Sequence, residues 1–183
     1  MAKPAAGKAV SQRGQIRSGD EISTDNTPTS DVVEHLQRQV ANAFVLYANY
    51  KHYHWQTFGP LFRDLHLLFD EFATAVLATI DDFAERLRMI GQDPIFRPDE
   101  VESKASVRVS AETETMRDMI AEADENLLVV IREMRDAARV ADEHDDPGTV
   151  DLFSRHVQLH EKHEWFLRDI LEKGDGLTNP GSS

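Results

Sequence analysis

His66 and Asp70 stand four residues apart, and so do Asp81 and Glu85, with Asp81 eleven residues after Asp70. An imidazole combined with carboxylates suits iron, manganese or zinc rather than copper(I) or a thiolate metal. On an α-helix each step of four keeps two side chains on one face. A step of eleven turns about 1100°, roughly 20° from a whole number of turns, so all four side chains share about a 100° arc. Their axial separation decides how they can work. His66 and Asp81 lie fifteen residues apart, which is about 22 Å of helix. No single metal centre can use both pairs from one chain. An antiparallel crossing of two such helices at a two-fold axis would bring His66/Asp70 of one subunit to Asp81/Glu85 of another, giving two equivalent sites per dimer. His54, with Trp55 beside it, is a candidate extra ligand from the preceding helix. Plainer readings stand beside these. A His–Asp pair at this spacing is usually a surface interaction, Asp81-Asp82 with Arg86 and Arg88 could form a solvated ion-pair face, and Trp55 could be core.

The elements that must carry these residues are helical. Asp31 with Glu34 reads as a capping pair, followed by Val33, Leu36, Val40, Phe44 and Tyr47 at helical steps to about Trp55. Gly59 separates this helix from a second, opened by Pro60 and striped by Phe62, Leu65, Leu68/Phe69, Phe72, Val76, Ile80, Phe83, Leu87 and Ile90 up to Gly91. Residues 92–110, with Pro94 and Pro98, read as a crossover with a short helix near Asp99–Ser103. Ser110 is the candidate cap of a third long helix that turns Met116, Ile120, Ala123, Leu127, Val130/Ile131 and Met134 inward. Asp145-Asp146-Pro147-Gly148 breaks it, and a fourth helix runs from about Thr149 to Lys173, closed by Gly174. No segment alternates as a strand does. Four helices with one long middle connection describe a ferritin-like four-helix bundle. The expected organisation is a flexible tail at 1–29, the bundle at 30–174 and a loose end at 175–183.

The stretch Lys51-His52-Tyr53-His54-Trp55 through His66, Asp70-Glu71-Phe72 and Ile80-Asp81-Asp82-Phe83-Ala84-Glu85-Arg86 resembles the signature of the Dps family. These are the miniferritins called DNA-binding proteins from starved cells. The family pattern is His-Trp, a His twelve residues after the first, an Asp four later, an Asp eleven later and a Glu four after that. His54-Trp55, His66, Asp70, Asp81 and Glu85 meet every position, and the likeness covers roughly residues 30–173. The resemblance implies a hollow homo-dodecamer with di-iron ferroxidase centres at its two-fold axes. His54, His66 and Asp70 would come from one subunit, and Asp81 and Glu85 from its partner. It also implies Fe(II) oxidation, preferentially by hydrogen peroxide, with storage of ferric mineral and protection of DNA. Trp55 would sit near the iron and quench stray radicals; packing remains its alternative role. A classical ferritin centre uses Glu-x-x-His on its helices, and none of the eight histidines has Glu three residues before it. Zinc in the same ligands, within a non-enzymatic DNA-compacting or structural shell, is the competing reading.

His156, His160 and His163, with Glu164, share a face of the fourth helix and form a candidate accessory metal site, against polar packing or surface positions. They do not make His-Glu-x-x-His, so a zinc protease is excluded. His52 points away from the His54 face. Asp142, Glu143, Asp145, Asp146 and Asp151 are ordinarily a solvated acidic turn. In the Dps fold that turn lies near a three-fold pore, where such a run would attract Fe(II). Glu71 could help nucleate mineral, and Trp165 with Phe166 suits packing or pore lining.

Composition bounds what else the chain does. It has 183 residues, 20 Lys+Arg against 33 Asp+Glu, a net charge of −13 and no cysteine. Disulfides, thiolate metal sites and thiol catalysis are therefore excluded. The longest apolar run, Ala43–Ala48, is far short of a membrane span of about 20 residues, and no signal-peptide pattern opens the chain. A cytoplasmic location is expected, with nucleoid association if DNA is bound. Lys3, Lys8, Arg13 and Arg17 make the outer tail positive, whereas residues from Thr29 onward carry −14. Non-specific DNA affinity rests on clustered cations, so the expectation is weak binding through the N-terminal tail, helped by avidity among twelve copies.

Overall fold

Every described element is a helix. The computed structural model describes residues 29–110 and 115–172. It contains α1 (Ser30–Gln56), α2 (Phe62–Met89), α3 (Pro98–Lys104), α4 (Met116–Glu143) and α5 (Pro147–Glu172). The expected tail before Thr29, the Gly174 closure and the 175–183 end lie outside the described residues. α1 packs chiefly on α2 and α4 chiefly on α5, with α1 against α4 joining the two hairpins. The result is the four-helix bundle with a crossover that the periodicity predicts, and α3 is the crossover's short helix.

The apolar stripes meet in one core. Leu36, Val40, Leu46, Tyr50 and Tyr53 from α1 join Leu65, Phe69, Phe72, Val76, Phe83 and Leu87 from α2. α4 adds Met116, Ile120, Ala123, Leu127, Val130 and Met134, and α5 adds Leu152, Phe153 and Leu167. Burying each large apolar side chain contributes about 1.5–3 kcal/mol against the entropy of ordering the chain. Phe62, expected in the α2 stripe, is instead 47% exposed, with its ring lying 5.2 Å from that of His66 one turn on.

Several helix boundaries differ from the sequence expectation, each for a local reason. Thr29, not Asp31, caps α1 by accepting from the Val32 amide at 3.5 Å; Glu34 is engaged instead by Lys104 and Arg38. Pro60 lies in the turn before α2, which begins two residues later. Ser110 does not cap α4, since its own amide donates to Asn49 Oδ1 at 2.9 Å and stays with the crossover. Thr115 takes that role, accepting from the Asp118 amide at 3.1 Å. α5 starts at Pro147, and the Asp146 carboxylate accepts from the Thr149 amide at 3.0 Å, an N-cap followed by proline at the first helical position.

Buried carboxamides hold the crossover to the bundle. Asn42 Oδ1 accepts from the Ser106 amide at 2.9 Å, and its Nδ2 donates to Glu133 Oε2 at 2.9 Å. Asn49 Nδ2 and Asn126 Nδ2 both donate to the Arg108 carbonyl, while Asn126 Oδ1 accepts from the Arg108 amide. These satisfy backbone groups that a strand or helix would otherwise have to pair.

Candidate metal centre

The end of α1 and the start of α2 face each other across the Gly59 turn, where φ is +82°, a left-handed value that glycine adopts without strain. This brings two histidines into register. The His54 and His66 rings stack with centroids 3.6 Å apart and planes 21° from parallel. His54 Nδ1 lies 2.7 Å from the His66 carbonyl, and His66 Nδ1 lies 2.8 Å from the His54 carbonyl. A carbonyl oxygen only accepts, so both Nδ1 atoms carry a proton, and the neutral form of each ring has its lone pair on Nε2. This is the orientation in which an imidazole ligates a metal, with the second nitrogen fixed by a backbone acceptor.

Asp70 stands one turn beyond His66, its Oδ1 4.0 Å from His54 Nδ1. The same oxygen accepts from Lys51 Nζ at 2.7 Å. That hydrogen bond, reinforced by the ammonium charge, holds the Asp70 carboxyl below the usual carboxylate range. Lys51 also lies 6.0 Å from the centroid of the Trp55 ring. Trp55 is 68% exposed, so its packing role is not in this chain's own core. His52 is half-buried beside Tyr53 and takes no part in the His54–His66 stack.

Asp81 and Glu85 are exposed farther along α2. The helix is unbroken between Phe62 and Met89, so the two pairs stay about 22 Å apart along it. Among the described residues no three or more His, Asp or Glu side chains of one chain converge to hold a metal. The single chain therefore holds His54, His66 and Asp70 at one place and Asp81 and Glu85 at another. Asp81 borders a shallow recess with Phe44, Thr74, Leu77, Ala78 and Ile80, and Leu77 is exposed.

The helix-five histidines are core residues. His156, His160 and His163 are all buried. His163 stacks on Phe72 with centroids 3.9 Å apart, and His156 Nε2 lies 3.1 Å from Asp82 Oδ2 without hydrogen-bond geometry. The His160 and His163 Nδ1 atoms are buried without a hydrogen-bond partner. Burial lowers both groups, His160 to about 3 and His163 to about 4. Glu164 is held by Arg168 at 2.7 and 2.8 Å, so the four residues do not converge as one ligand set.

The acidic turn forms a recess lined by Asp142, Asp145, Asp146, Pro147, Val150, Asp151 and Ser154; Glu143 lies outside it. Asp146 is also structural: it accepts from Arg86 at 2.5 Å and from the Thr149 hydroxyl at 2.6 Å. Asp151 accepts from Arg155 at 3.2 Å. Glu71 is exposed, and Trp165, 48% exposed, donates to Asp169 at 3.1 Å.

Residues 33–177 match the family model described as Ferritin-like domain. DNA protection during starvation protein 1 of Deinococcus radiodurans is 36% identical over 77% of this chain and 69% of its own length. The Dps structure from Thermosynechococcus elongatus superposes with a TM-score of 0.77 at 49% identity, covering 81% of this chain and 94% of that one. This chain belongs to the Dps family. A further Dps structure, from Vibrio cholerae, is described as a member of a superfamily of ferritin-like diiron-carboxylate proteins; it matches at 26% identity and TM-score 0.79 over 87% of this chain and all of that one. Sequence reasoning reached this Dps chain's five candidate ligands but missed Lys51. Its signal was visible, since Lys51 precedes His54 by one helical step of three and shares its face. The Tyr53–Glu122 hydrogen bond of 2.6 Å had none, because it joins residues sixty-nine positions apart.

Proposed function

We infer that this Dps-family chain is a ferroxidase. It oxidises Fe(II) with hydrogen peroxide or oxygen at centres shared between subunits, and stores the ferric mineral inside a homo-dodecameric shell. The observation that carries the reading is the separation of the candidate ligands into two groups, one where α1 ends and α2 begins and one farther along α2. One end offers His54 and His66 with their Nε2 lone pairs and an ionised Asp70; the other, about 22 Å away, offers exposed Asp81 and Glu85. An antiparallel two-fold contact completes both ends at once. Exposed Phe58, Phe62, Leu67 and Leu77 are the apolar surface such a contact would cover.

The chemistry follows from the ligand types. Carboxylates from both chains bridge the substrate ions and stabilise the rise in charge from Fe(II) to Fe(III), while the imidazoles fix geometry. Two Fe(II) supply the two electrons that convert hydrogen peroxide to two waters, and DNA is spared the hydroxyl radical of one-electron reduction. Asp142, Asp145 and Asp151 concentrate Fe(II) at the acidic recess. Of the candidate accessory residues, His156, whose Nε2 lies 3.1 Å from Asp82 Oδ2, is the one best placed to take a cation. DNA contact, through the N-terminal tail, is weak at physiological salt. The cytoplasm is the compartment this reading fits.

The test is Fe(II) oxidation with peroxide and with oxygen separately, comparing the wild type with a His66→Ala/Asp70→Ala variant. Oxidation well above buffer in the wild type and lost in the variant is expected. If neither chain exceeds buffer, the protein is a shell with vestigial or zinc-filled sites.

A further inference from the structure

From Trp55 to Pro60, where the chain turns from α1 into α2, every residue is exposed except Thr57. Thr57 directly follows the last residue of α1 and is only 6% exposed. A buried hydroxyl is costly unless it is hydrogen-bonded, and this one donates to the His54 carbonyl at 3.1 Å. The same oxygen accepts from His66 Nδ1 at 2.8 Å. One carbonyl thus serves a candidate metal ligand and a buried threonine together, and both of its lone pairs are taken.

The place of each anchoring oxygen in its helix shows what the hydroxyl adds. The His66 carbonyl, which anchors His54 Nδ1 at 2.7 Å, lies inside the unbroken α2 (Phe62–Met89). A carbonyl there also accepts from the amide four residues on. The His54 carbonyl lies in the last turn of α1, which ends at Gln56, and carbonyls of a last turn have no such amide. Thr57 supplies the second donor that the helix no longer can. Each imidazole is then anchored to an oxygen shared with one other donor. The strength of that anchor matters, because a stronger Nδ1–H···O bond leaves more electron density on the ligating Nε2. An oxygen that already accepts one donor has less charge to offer the next.

We propose that Thr57 is a positioning residue of the candidate metal centre: its hydroxyl moderates the His54 carbonyl, and so keeps His66 Nε2 matched in donor strength to His54 Nε2. Thr57 acts through His66 and is not itself a ligand. This rests on the ferroxidase reading, in which the centre takes up Fe(II) and must then pass Fe(III) on to the mineral. Without the hydroxyl, His66 would hold the ion more tightly and slow that handover.

Two arms test this on the full-length assembled protein. Thr57→Val removes the hydroxyl and keeps the branched shape, whereas Thr57→Ser keeps the hydroxyl; Thr57→Ala replaces the valine variant if that one fails to assemble. In the first arm, with no metal present, proton-detected solid-state NMR of histidine-labelled protein reads the His66 Nδ1–H resonance, assigned by its loss in His66→Asn. It should move downfield in Thr57→Val, as a strengthened hydrogen bond does, and return in Thr57→Ser. An unmoved or upfield resonance in Thr57→Val overturns the proposal. In the second arm Co(II) is titrated and followed by its visible absorption. Thr57→Val should bind it roughly two- to fivefold tighter, a fraction of the roughly 10–100-fold carried by a whole outer hydrogen-bond partner, and Thr57→Ser should restore the wild-type affinity. Unchanged or weaker binding overturns the moderating role, weaker binding assigning Thr57 to plain support of the α1 end. A wild type that binds no Co(II) and oxidises no Fe(II) sinks the ferroxidase reading, and the metal-free resonance still decides whether Thr57 moderates the His54 carbonyl.

Discussion

Lys51 Nζ lies 2.7 Å from Asp70 Oδ1, so the carboxylate proposed to receive Fe(II) already holds a cation. Metal binding must displace that ammonium, and the Trp55 ring 6.0 Å away offers it a place to go. Lys51→Met should therefore tighten binding of a redox-inert probe such as Co(II) by roughly two- to fivefold, the scale of a half-exposed ion pair. The gain should shrink as salt rises. Weaker binding in the variant would show that Lys51 supports the site by orienting Asp70.

Complementation reads the division of the centre between chains. His66→Ala and Asp81→Asn should each abolish peroxide-driven Fe(II) oxidation when assembled alone. Co-assembled at random, the two chains should regain about a quarter of the wild-type sites, because each mixed dimer has one intact centre of two. No recovery, with mixed assemblies verified by mass, would overturn the shared centre.

The buried histidines make stability depend on pH in a stated direction. His160 and His163 have folded values of about 3 and about 4, below the unfolded value of about 6.5. Between those limits the unfolded chain binds more protons, so stability is complete above about pH 6.5 and falls as pH drops towards 4, by up to about 1.4 kcal/mol per unit for each histidine. Denaturation at fixed protein concentration across pH 8 to 4.5 measures this. His160→Leu should flatten the slope, and an unchanged slope would assign the acid sensitivity to other groups.

Neighbouring acids of the α4–α5 turn should separate by function. Asp146→Ala removes an N-cap, worth about 0.5–2 kcal/mol, and leaves Arg86 without its partner, so the melting temperature should fall. Asp145 has φ of +53°, a conformation asparagine also tolerates. Asp145→Asn with Asp142→Asn should lower melting less than Asp146→Ala does while slowing Fe(II) uptake. A stability loss in that double variant as large as in Asp146→Ala would dissolve the distinction.

How much of this was legible from residues alone depends on the range of each interaction. The 3.6-residue period placed all four long helices, because burial of stripes such as Leu65–Phe69–Phe72–Val76 is what holds them. The ligand spacing on α2 was equally readable, since one straight helix converts sequence distance into length and angle. Helix starts were less so. Ser110 looks as good a cap as Thr115 until Asn49, sixty-one residues away, claims its amide. The burial of His156, His160 and His163 was also hidden, because polar side chains on a face give no signal of burial until Phe72 and Phe83 are seen against them.

The attachment of the crossover bears on how the protein ages. Its staples are the carboxamides of Asn42, Asn49 and Asn126, the thermally labile kind of side chain. Conversion of Asn42 to Asp would replace a donor to Glu133 with a second carboxylate and loosen residues 106–107 from α1. All three asparagines, however, lie inside α1 or α4 rather than in the crossover they hold. There the following backbone nitrogen is locked into the helix and cannot swing round to attack the side chain. Placing the staples on the rigid partner gives the crossover a slow chemical clock.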